Sequence, residues 1–277
     1  MNILITGATG NVGTGVLQAL PAEHEIRLSD IAAPSSLSNS SHPFFPADVR
    51  EAHALDEAAK GTDIIIHTPA YHGIHMGTFS EKEFYDLNVT GTFEMFQTAV
   101  RQNVRRVVWL SSMSFFGDDF YAYTKKLGEQ LCEFYHRKHG IEVIMLRPAD
   151  FTPFRSRAHY GERLLHGGVD RRDVIQAVVK ATICEKPFGA YHIVREDAFT
   201  AADIEAYAQG TRIETWEKLY PGAGALIEKY NFHLPETIHP ADLTREKQEL
   251  GYMPIYNFGT FLEEFTQDNA IIEEANP

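Results

Sequence analysis

The sequence predicts an α/β fold, a doubly wound parallel sheet followed by a smaller C-terminal lobe. Three observations lead there. Short apolar runs alternate with helical patterns through roughly the first 150 residues, the pattern of a sheet covered on both faces. The first run ends in glycines that open a helix. After Arg147 the alternation stops, and shorter mixed elements follow.

Taken in order, Ile3 to Thr6 is a short apolar run that reads as a fully buried strand. Val12, Val16, Leu17 and Leu20 have helical spacing within Asn11 to Leu20. A second strand, Glu25 to Ser29, ends at Asp30, and residues 34 to 43 are a Ser/Pro-rich loop. Phe44 to Asp48 reads as a third strand and Glu51 to Ala59 as a helix. An apolar strand (Asp63 to His67), a long helix (about Glu81 to Gln102) and a strand (Arg106 to Leu110) come next. A helix from about Asp119 to His139 leads into a strand from Glu142 to Leu146. Right-handed crossovers make such a sheet doubly wound. Beyond it come a basic loop with Arg155, Arg157 and Arg163, a helix (Arg171 to Ile183) and a strand (Tyr191 to Val194). The tail from Gln267 is expected to fray. The division expected is 1–150 as one domain, with about 169–195 returning to it, and 151–168 plus 196–277 as the lobe.

Bulk properties narrow the function classes. With 277 residues, 44% of them hydrophobic, the chain can bury a large core. Lysine and arginine number 25 against 38 acidic residues, a net charge of −13. Without a basic run, that balance argues against nucleic acid or an anionic membrane surface as partner. Cys132 and Cys184 have neither metal-like nor redox-like spacing, so a reducing compartment is expected. Met1 to Ile5 carries no basic leader, and no stretch approaches the roughly 18–20 apolar residues of a membrane span. The expected location is the cytoplasm.

Thr6-Gly7-Ala8-Thr9-Gly10-Asn11-Val12-Gly13 lies between the first strand and the first helix. Gly7 permits a tight turn, Gly10 lets the backbone approach a pyrophosphate, and Gly13 lets helix and strand pack closely. Asp30, 17 residues after Gly13, stands where a carboxylate accepts hydrogen bonds from adenosine ribose hydroxyls. A 2′-phosphate there would meet like charge, and no Arg or Lys follows in Ile31-Ala32-Ala33. The sequence therefore favours NAD over NADP on a Rossmann-type fold.

From these residues the chain resembles the extended short-chain dehydrogenase/reductases, the NAD-dependent sugar epimerases, dehydratases and dehydrogenases. Asp48-Val49 resembles the position whose carboxylate meets the adenine amino group. His67-Thr68-Pro69-Ala70 stands where that family has His-Leu-Ala-Ala beside the cofactor. Asn88-Val89-Thr90-Gly91-Thr92 resembles its helix motif, and Arg147-Pro148-Ala149-Asp150-Phe151-Thr152-Pro153 its Arg-Pro-x-x-x-x-Pro segment. Leu250-Gly251-Tyr252-Met253-Pro254 resembles its C-terminal Leu-Gly-aromatic-x-Pro. Across the chain, the likeness implies cofactor contacts from Gly7, Thr9, Gly10, Asn11, Val12, Gly13, Asp30, Asp48, Val49, Thr68, Pro69, Ala70, Asn88, Lys125 and Pro148. It also implies a homodimer through the two long helices.

Tyr121 and Lys125 are four apart, so on a helix they share a face. An ammonium near a phenol stabilises the phenolate, moving it from about 10 toward working pH. That makes a general base for an alcohol proton. By resemblance, Lys125 also holds the nicotinamide ribose and Asn88 anchors a water relay to it. Tyr123 is an alternative phenol with the wrong offset from Lys125. By the same resemblance, Ser112 aligns with the hydroxyl that polarises the substrate oxygen, and Ser111 and Met113 flank it at the substrate.

Two departures stand out. Tyr121 follows Ser112 by only nine positions, where the family has a much longer loop that lines the substrate pocket. Nine residues still extend about 30 Å, so strand end and helix start can meet. Sugar-nucleotide 4,6-dehydratases carry an Asp-Glu pair directly after the catalytic hydroxyl; Met113 and Ser114 stand there, so oxidation or epimerisation is expected rather than dehydration. Likeness to the hexuronate dehydrogenases gives Arg163 the substrate carboxylate, a task suited to a planar fork. A UDP-galactose-type epimerase is the competing enzyme. A cofactor sensor that has lost chemistry is the alternative of another class, and the presence of both Tyr121 and Lys125 argues against it. His67, His72 and His75 lack a Cys or carboxylate partner, so no metal is expected.

Overall fold

In the computed structural model, residues 1–32, 42–151 and 154–265 are described. Most of the Ser/Pro loop, Thr152 and Pro153 of the Arg-Pro segment, and the tail from Gln267 lie outside them. The elements begin with β1 (Asn2–Thr6), α1 (Asn11–Ala19), β2 (Glu25–Asp30), β3 (Phe44–Pro46) and β4 (Ile64–His67). They continue with α2 (Glu81–Tyr85), α3 (Gly91–Arg101), β5 (Arg106–Leu110), α4 (Phe120–His139) and β6 (Glu142–Pro148). Then come α5 (Arg157–Leu165), α6 (Arg171–Ile183), β7 (Phe188–Ile193), α7 (Ala201–Ala208), α8 (Arg212–Leu219) and α9 (Ala223–Tyr230).

The chain divides into two compact units. The first comprises Met1–Pro148, Val174–Ile193 and Arg245–Tyr252. Its seven strands form one sheet in the order β3-β2-β1-β4-β5-β6-β7, and every pairing is parallel. Reversal of strand order on either side of β1 is the doubly wound topology, which places ligands at the carboxyl ends of the strands. Ile64, Ile65, Ile66, Val107 and Val108 are fully buried, as strands covered on both faces require. One face carries Leu4, Ile65, Val107, Trp109, Val143 and Met145 against Met95, Phe96 and Ala99 of α3 and Cys132 and Tyr135 of α4.

The long helix begun at Glu81 does run to Arg101, but through a π-turn at Asp86–Thr90. Such a turn often marks a functional position. Glu51 to Ala59, expected as a helix, is instead a series of turns, with His53 in the left-handed region at φ 65°. There Asp56 accepts from Arg101 and Thr98 of α3, which fixes the segment by side chains rather than by its own helical ladder. α4 is closed at both ends: the Asp119 carboxylate accepts from the Ala122 amide at 2.7 Å, and Gly140 ends it at φ 72°.

The second unit comprises Ala149–Asp173, Val194–Thr244 and Met253–Pro277. It is helical, and its core gathers Leu164, Leu165, Tyr207, Trp216, Phe258 and Phe261. The boundaries at 150 and 195 move by two residues, to Pro148 and Ile193, and two segments change unit. Residues 245–252 join the first unit because the Glu246 carboxylate accepts from the His192 amide and Glu249 from the Tyr191 hydroxyl, both on β7. Residues 169–173 join the second, where the Asp173 carboxylate accepts from the Ile255 and Tyr256 amides.

Candidate active site

The nucleotide end is built at the β1–α1 turn. Gly7 sits at φ 70°, and a Cβ there would meet Thr68 Oγ1 at 2.4 Å. A Cβ on Gly13 would stand 2.3 Å from the Gly7 carbonyl, so only glycine lets α1 approach this closely. No acidic side chain occupies the first turn of α1, which leaves its positive end to an anionic group. The Asp30 carboxylate is fixed beside the turn. Its Oδ2 accepts from Thr9 N (3.0 Å) and Thr9 Oγ1 (2.7 Å), and its Oδ1 from Ile31 N (2.8 Å). Oδ1, with one bond, keeps a lone pair for a ribose hydroxyl, while Oδ2 is held by Thr9. A turn that a Cβ would fill, beside an oriented carboxylate, fits a dinucleotide.

Other residues expected at the cofactor have varied surroundings. Asn11 is exposed and Val12 buried, while Pro69 and Ala70 follow β4 half-exposed and Pro148 ends β6 buried. The Thr68 hydroxyl donates to the Thr6 carbonyl at 2.8 Å. Val49 packs its side chain toward Gly91 and the core. Both Asp48 oxygens accept from Arg50 (2.9 and 2.6 Å), which holds the carboxyl below the usual carboxylate range. Sequence reasoning missed Arg50, although its spacing of two made the contact findable. The Asn88 side chain is buried and engaged by protein: Oδ1 accepts from Tyr71 N, and Nδ2 donates to Tyr71 O and Thr124 Oγ1. It ties the loop after β4 to α4 from within the π-turn.

At the other end, Tyr121 and Lys125 lie on the buried face of α4, at 5% and 3% exposure. Lys125 Nζ donates to the Leu110 carbonyl at 2.8 Å and stands 5.8 Å from the centre of the Tyr121 ring. Among the described residues no carboxylate pairs with it, and burial lowers its pKa to about 8. The Tyr121 ring meets His72 and Phe84 edge-on at 6.1 and 6.4 Å. Tyr123 is half-exposed.

Ser112 and Ser111 prolong β5 and, as neighbours on extended chain, point to opposite sides. Ser112 Oγ accepts from the Ser114 amide at 3.0 Å, capping the 3₁₀ turn Met113–Phe116, and its own proton is left to donate. Ser111 does not share that side. Its hydroxyl donates to Glu129 Oε1 at 2.5 Å. Glu129 also receives Arg147 through two bonds, at 2.8 and 2.6 Å, and the guanidinium lies 4.2 Å from the Phe115 ring. The pair is largely withdrawn from solvent, at 16% and 10% side-chain exposure.

His67 is buried, with Nδ1 2.8 Å from Thr6 Oγ1. Burial, then the nearby Lys125 charge, lowers its pKa to about 3, so its ring is neutral. The His72 amide donates to His75 Nδ1 at 2.9 Å. Among the described residues no three His, Cys, Asp or Glu side chains gather as a metal ion requires, and no helix is long and apolar enough to cross a membrane. Within the second unit, Arg163 ends α5 at 9% side-chain exposure, its Nε 3.1 Å from Asp150.

Comparison with known proteins places the chain in a family. A uronate dehydrogenase of Pseudomonas syringae pv. tomato is 28% identical over 168 residues, 54% of this chain and 60% of that enzyme. The match thus spans three fifths of that relative's length. A UDP-glucose 4-epimerase of Neisseria meningitidis serogroup A is 27% identical over 129 residues, 42% of this chain and 38% of the epimerase. A short-chain dehydrogenase/reductase superfamily protein from Agrobacterium tumefaciens, solved with bound NAD, superposes over 100% of both chains at a TM-score of 0.71 and 17% identity, a likeness of fold. Residues 3–181, most of the chain, match the profile of the NAD dependent epimerase/dehydratase family. With its parallel sheet, its glycine turn and the oriented Asp30, the chain belongs to that family, whose cofactor is NAD.

Proposed function

We propose that this protein is an NAD-dependent oxidoreductase acting on a secondary hydroxyl of a sugar or sugar acid, with Tyr121, Lys125 and Ser112 at the reacting carbon. One observation carries the reading: Lys125 is buried beside the Tyr121 ring, and among the described residues no carboxylate pairs with it. An ammonium so placed lowers the phenol's proton affinity, and a phenolate accepts the alcohol proton. Bound NAD supplies the hydride acceptor. The Ser112 hydroxyl, held by the Ser114 amide, donates to the substrate oxygen and orients the carbon. The amides of the α1 turn take the pyrophosphate, Asp30 the adenosine ribose, and the Asp48-Val49 segment the adenine. Asn88 acts by holding the loop after β4, since its amide is committed to Tyr71 and Thr124.

The uronate dehydrogenase relative favours an anionic sugar. In this reading Arg163 exchanges Asp150 for the substrate carboxylate. A screen of NAD reduction over uronic acids, aldoses and sugar nucleotides tests the proposal. Net NADH release should be strongest with a uronic acid, and Arg163→Ala should raise KM for it by tenfold or more, about 1.4 kcal/mol. If that variant matches the native enzyme, the arginine has no such role. The epimerase relative supports a second reading, and turnover of sugar nucleotides alone, without net NADH release, would decide for it.

A further inference from the structure

Lys125 enters the interior with one hydrogen bond, to the Leu110 carbonyl, and a charge that needs more than that. The groups facing it can be named element by element. From α4 come Tyr121, Glu129 and Cys132; Glu129 is engaged by Arg147 and Ser111, and burial pushes the Cys132 thiol up, so it is neutral. From β4 comes the neutral His67. From β5 comes Trp109, whose ring centre lies 4.9 Å from the Lys125 ammonium, within the range of a cation–π contact.

The position of that indole is specified on every side. Trp109 is buried, and a Cβ at residue 128 would stand 2.3 Å from its Cζ2, so Gly128 makes the room it occupies under α4. Its Nε1 donates to Thr92 Oγ1 at 3.2 Å, and the Thr92 hydroxyl donates to the Asn88 carbonyl at 2.7 Å. Asn88 Nδ2 donates to Thr124 Oγ1 at 3.0 Å, and Thr124 donates to the Tyr121 carbonyl at 2.7 Å. Through β5, α3, the π-turn and α4, one relay links the ring beneath Lys125 to the backbone of Tyr121.

We propose that Trp109 is a positioning residue of the active site, its indole face holding Lys125 as the ammonium beside Tyr121 and its N–H fixing that face through Thr92, Asn88 and Thr124. The proposal rests on the reading of Tyr121 and Lys125 as the proton-transfer pair. A buried aliphatic side chain in place of the indole offers the charge nothing, so the amine form gains.

The test follows the Lys125 titration by NMR in lysine-labelled protein without cofactor. In Trp109→Leu the midpoint should fall by about one pH unit, a tenfold change in the ammonium-to-amine ratio. Trp109→Phe, which restores an aromatic face, should recover more than half of that shift. The alkaline limb of the kcat/KM profile should move down with it, because the charged partner of Tyr121 is lost earlier. An unmoved Lys125 midpoint in Trp109→Leu overturns the proposal, as does an equal shift in the Phe variant. Should the Leu variant fail to fold, the native chain has only two tryptophans to follow. The Trp109 indole N–H signal should titrate with the Lys125 midpoint and stop titrating in Lys125→Met; a signal that never moves overturns the proposal. A fully active Tyr121→Phe would instead sink the proton-transfer reading and leave the titration result standing.

Discussion

Arg147, half-buried with 16% of its side chain exposed, and the buried Lys125 are cations at the carboxyl edge of the sheet, and the fold solvates them in opposite ways. Arg147 receives a bidentate carboxylate from Glu129 and an aromatic face from Phe115. Lys125, one turn before Glu129 on α4, receives a carbonyl and the Trp109 ring. A guanidinium paired in this way stays charged at every accessible pH and serves as a fixed strut. An ammonium denied a carboxylate is drawn toward neutrality by burial, which brings its titration near the pH at which a proton can be moved. The difference lies chiefly in the partner each charge is given, Lys125 being the more fully removed from water.

The largest effect expected on activity is at the tunable cation's neighbour. Tyr121→Phe should lower turnover by three or four decades, roughly 4–5.5 kcal/mol of barrier, while NAD affinity stays within about twofold. Single-turnover rates and cofactor titration separate the two. Should Tyr123→Phe be the inactive variant instead, the assignment on α4 is wrong.

At the fixed cation the effect falls on stability. Glu129→Ala leaves the half-buried Arg147 guanidinium without its carboxylate, a loss of about 2–3 kcal/mol in urea unfolding, below that of a fully buried pair. Lys125→Met should go the other way, with a pH dependence whose sign is fixed. The folded-state pKa of Lys125, about 8, lies below the ordinary 10.5. The ammonium is therefore a cost to the fold below about 8, and that cost fades as pH rises toward 10.5. Near pH 7 the variant should be more stable than the native chain by up to about 3 kcal/mol, with the gap closing by pH 10. A gap independent of pH would mean that Lys125 is not desolvated as its surroundings indicate.

The same contrast explains what the sequence could disclose. The glycine turn, Asp30 and the Tyr121–Lys125 offset depend on residues close in the chain, so local geometry implies them. Glu129 and Arg147 are separated by 18 positions and meet only because α4 lies over β6. The Ser111 hydroxyl likewise meets Glu129 across 18 positions, a contact that local geometry does not imply. Residues 51–59 carried a helical pattern, yet the pull of Arg101 and Thr98 on Asp56 settled them as turns. Arg245–Tyr252 returns to the sheet through Glu246 and Glu249, whose partners on β7 lie more than 50 positions earlier.

The smallest expected effect sharpens the comparison with a charge of the opposite sign. Asp30 is half-buried, and its carboxylate is oriented by neutral donors, Thr9 and the Ile31 amide, with no cation paired to it among the described residues. Neither Ile31 nor Ala32, which follow it, offers a charge to a phosphate. The anion can therefore accept from a ribose diol and repel a 2′-phosphate. NAD should bind at least tenfold tighter than NADP, about 1.4 kcal/mol, in calorimetric titration of the free protein. Asp30→Ala should narrow that ratio by weakening NAD and relieving NADP together. Thr9→Val should narrow it less, since it removes one of the three orienting bonds and leaves the charge. Equal affinities in the native protein would show that the carboxylate does not read the ribose, and Asp30 would then be only the clamp that Thr9 and Ile31 make of it.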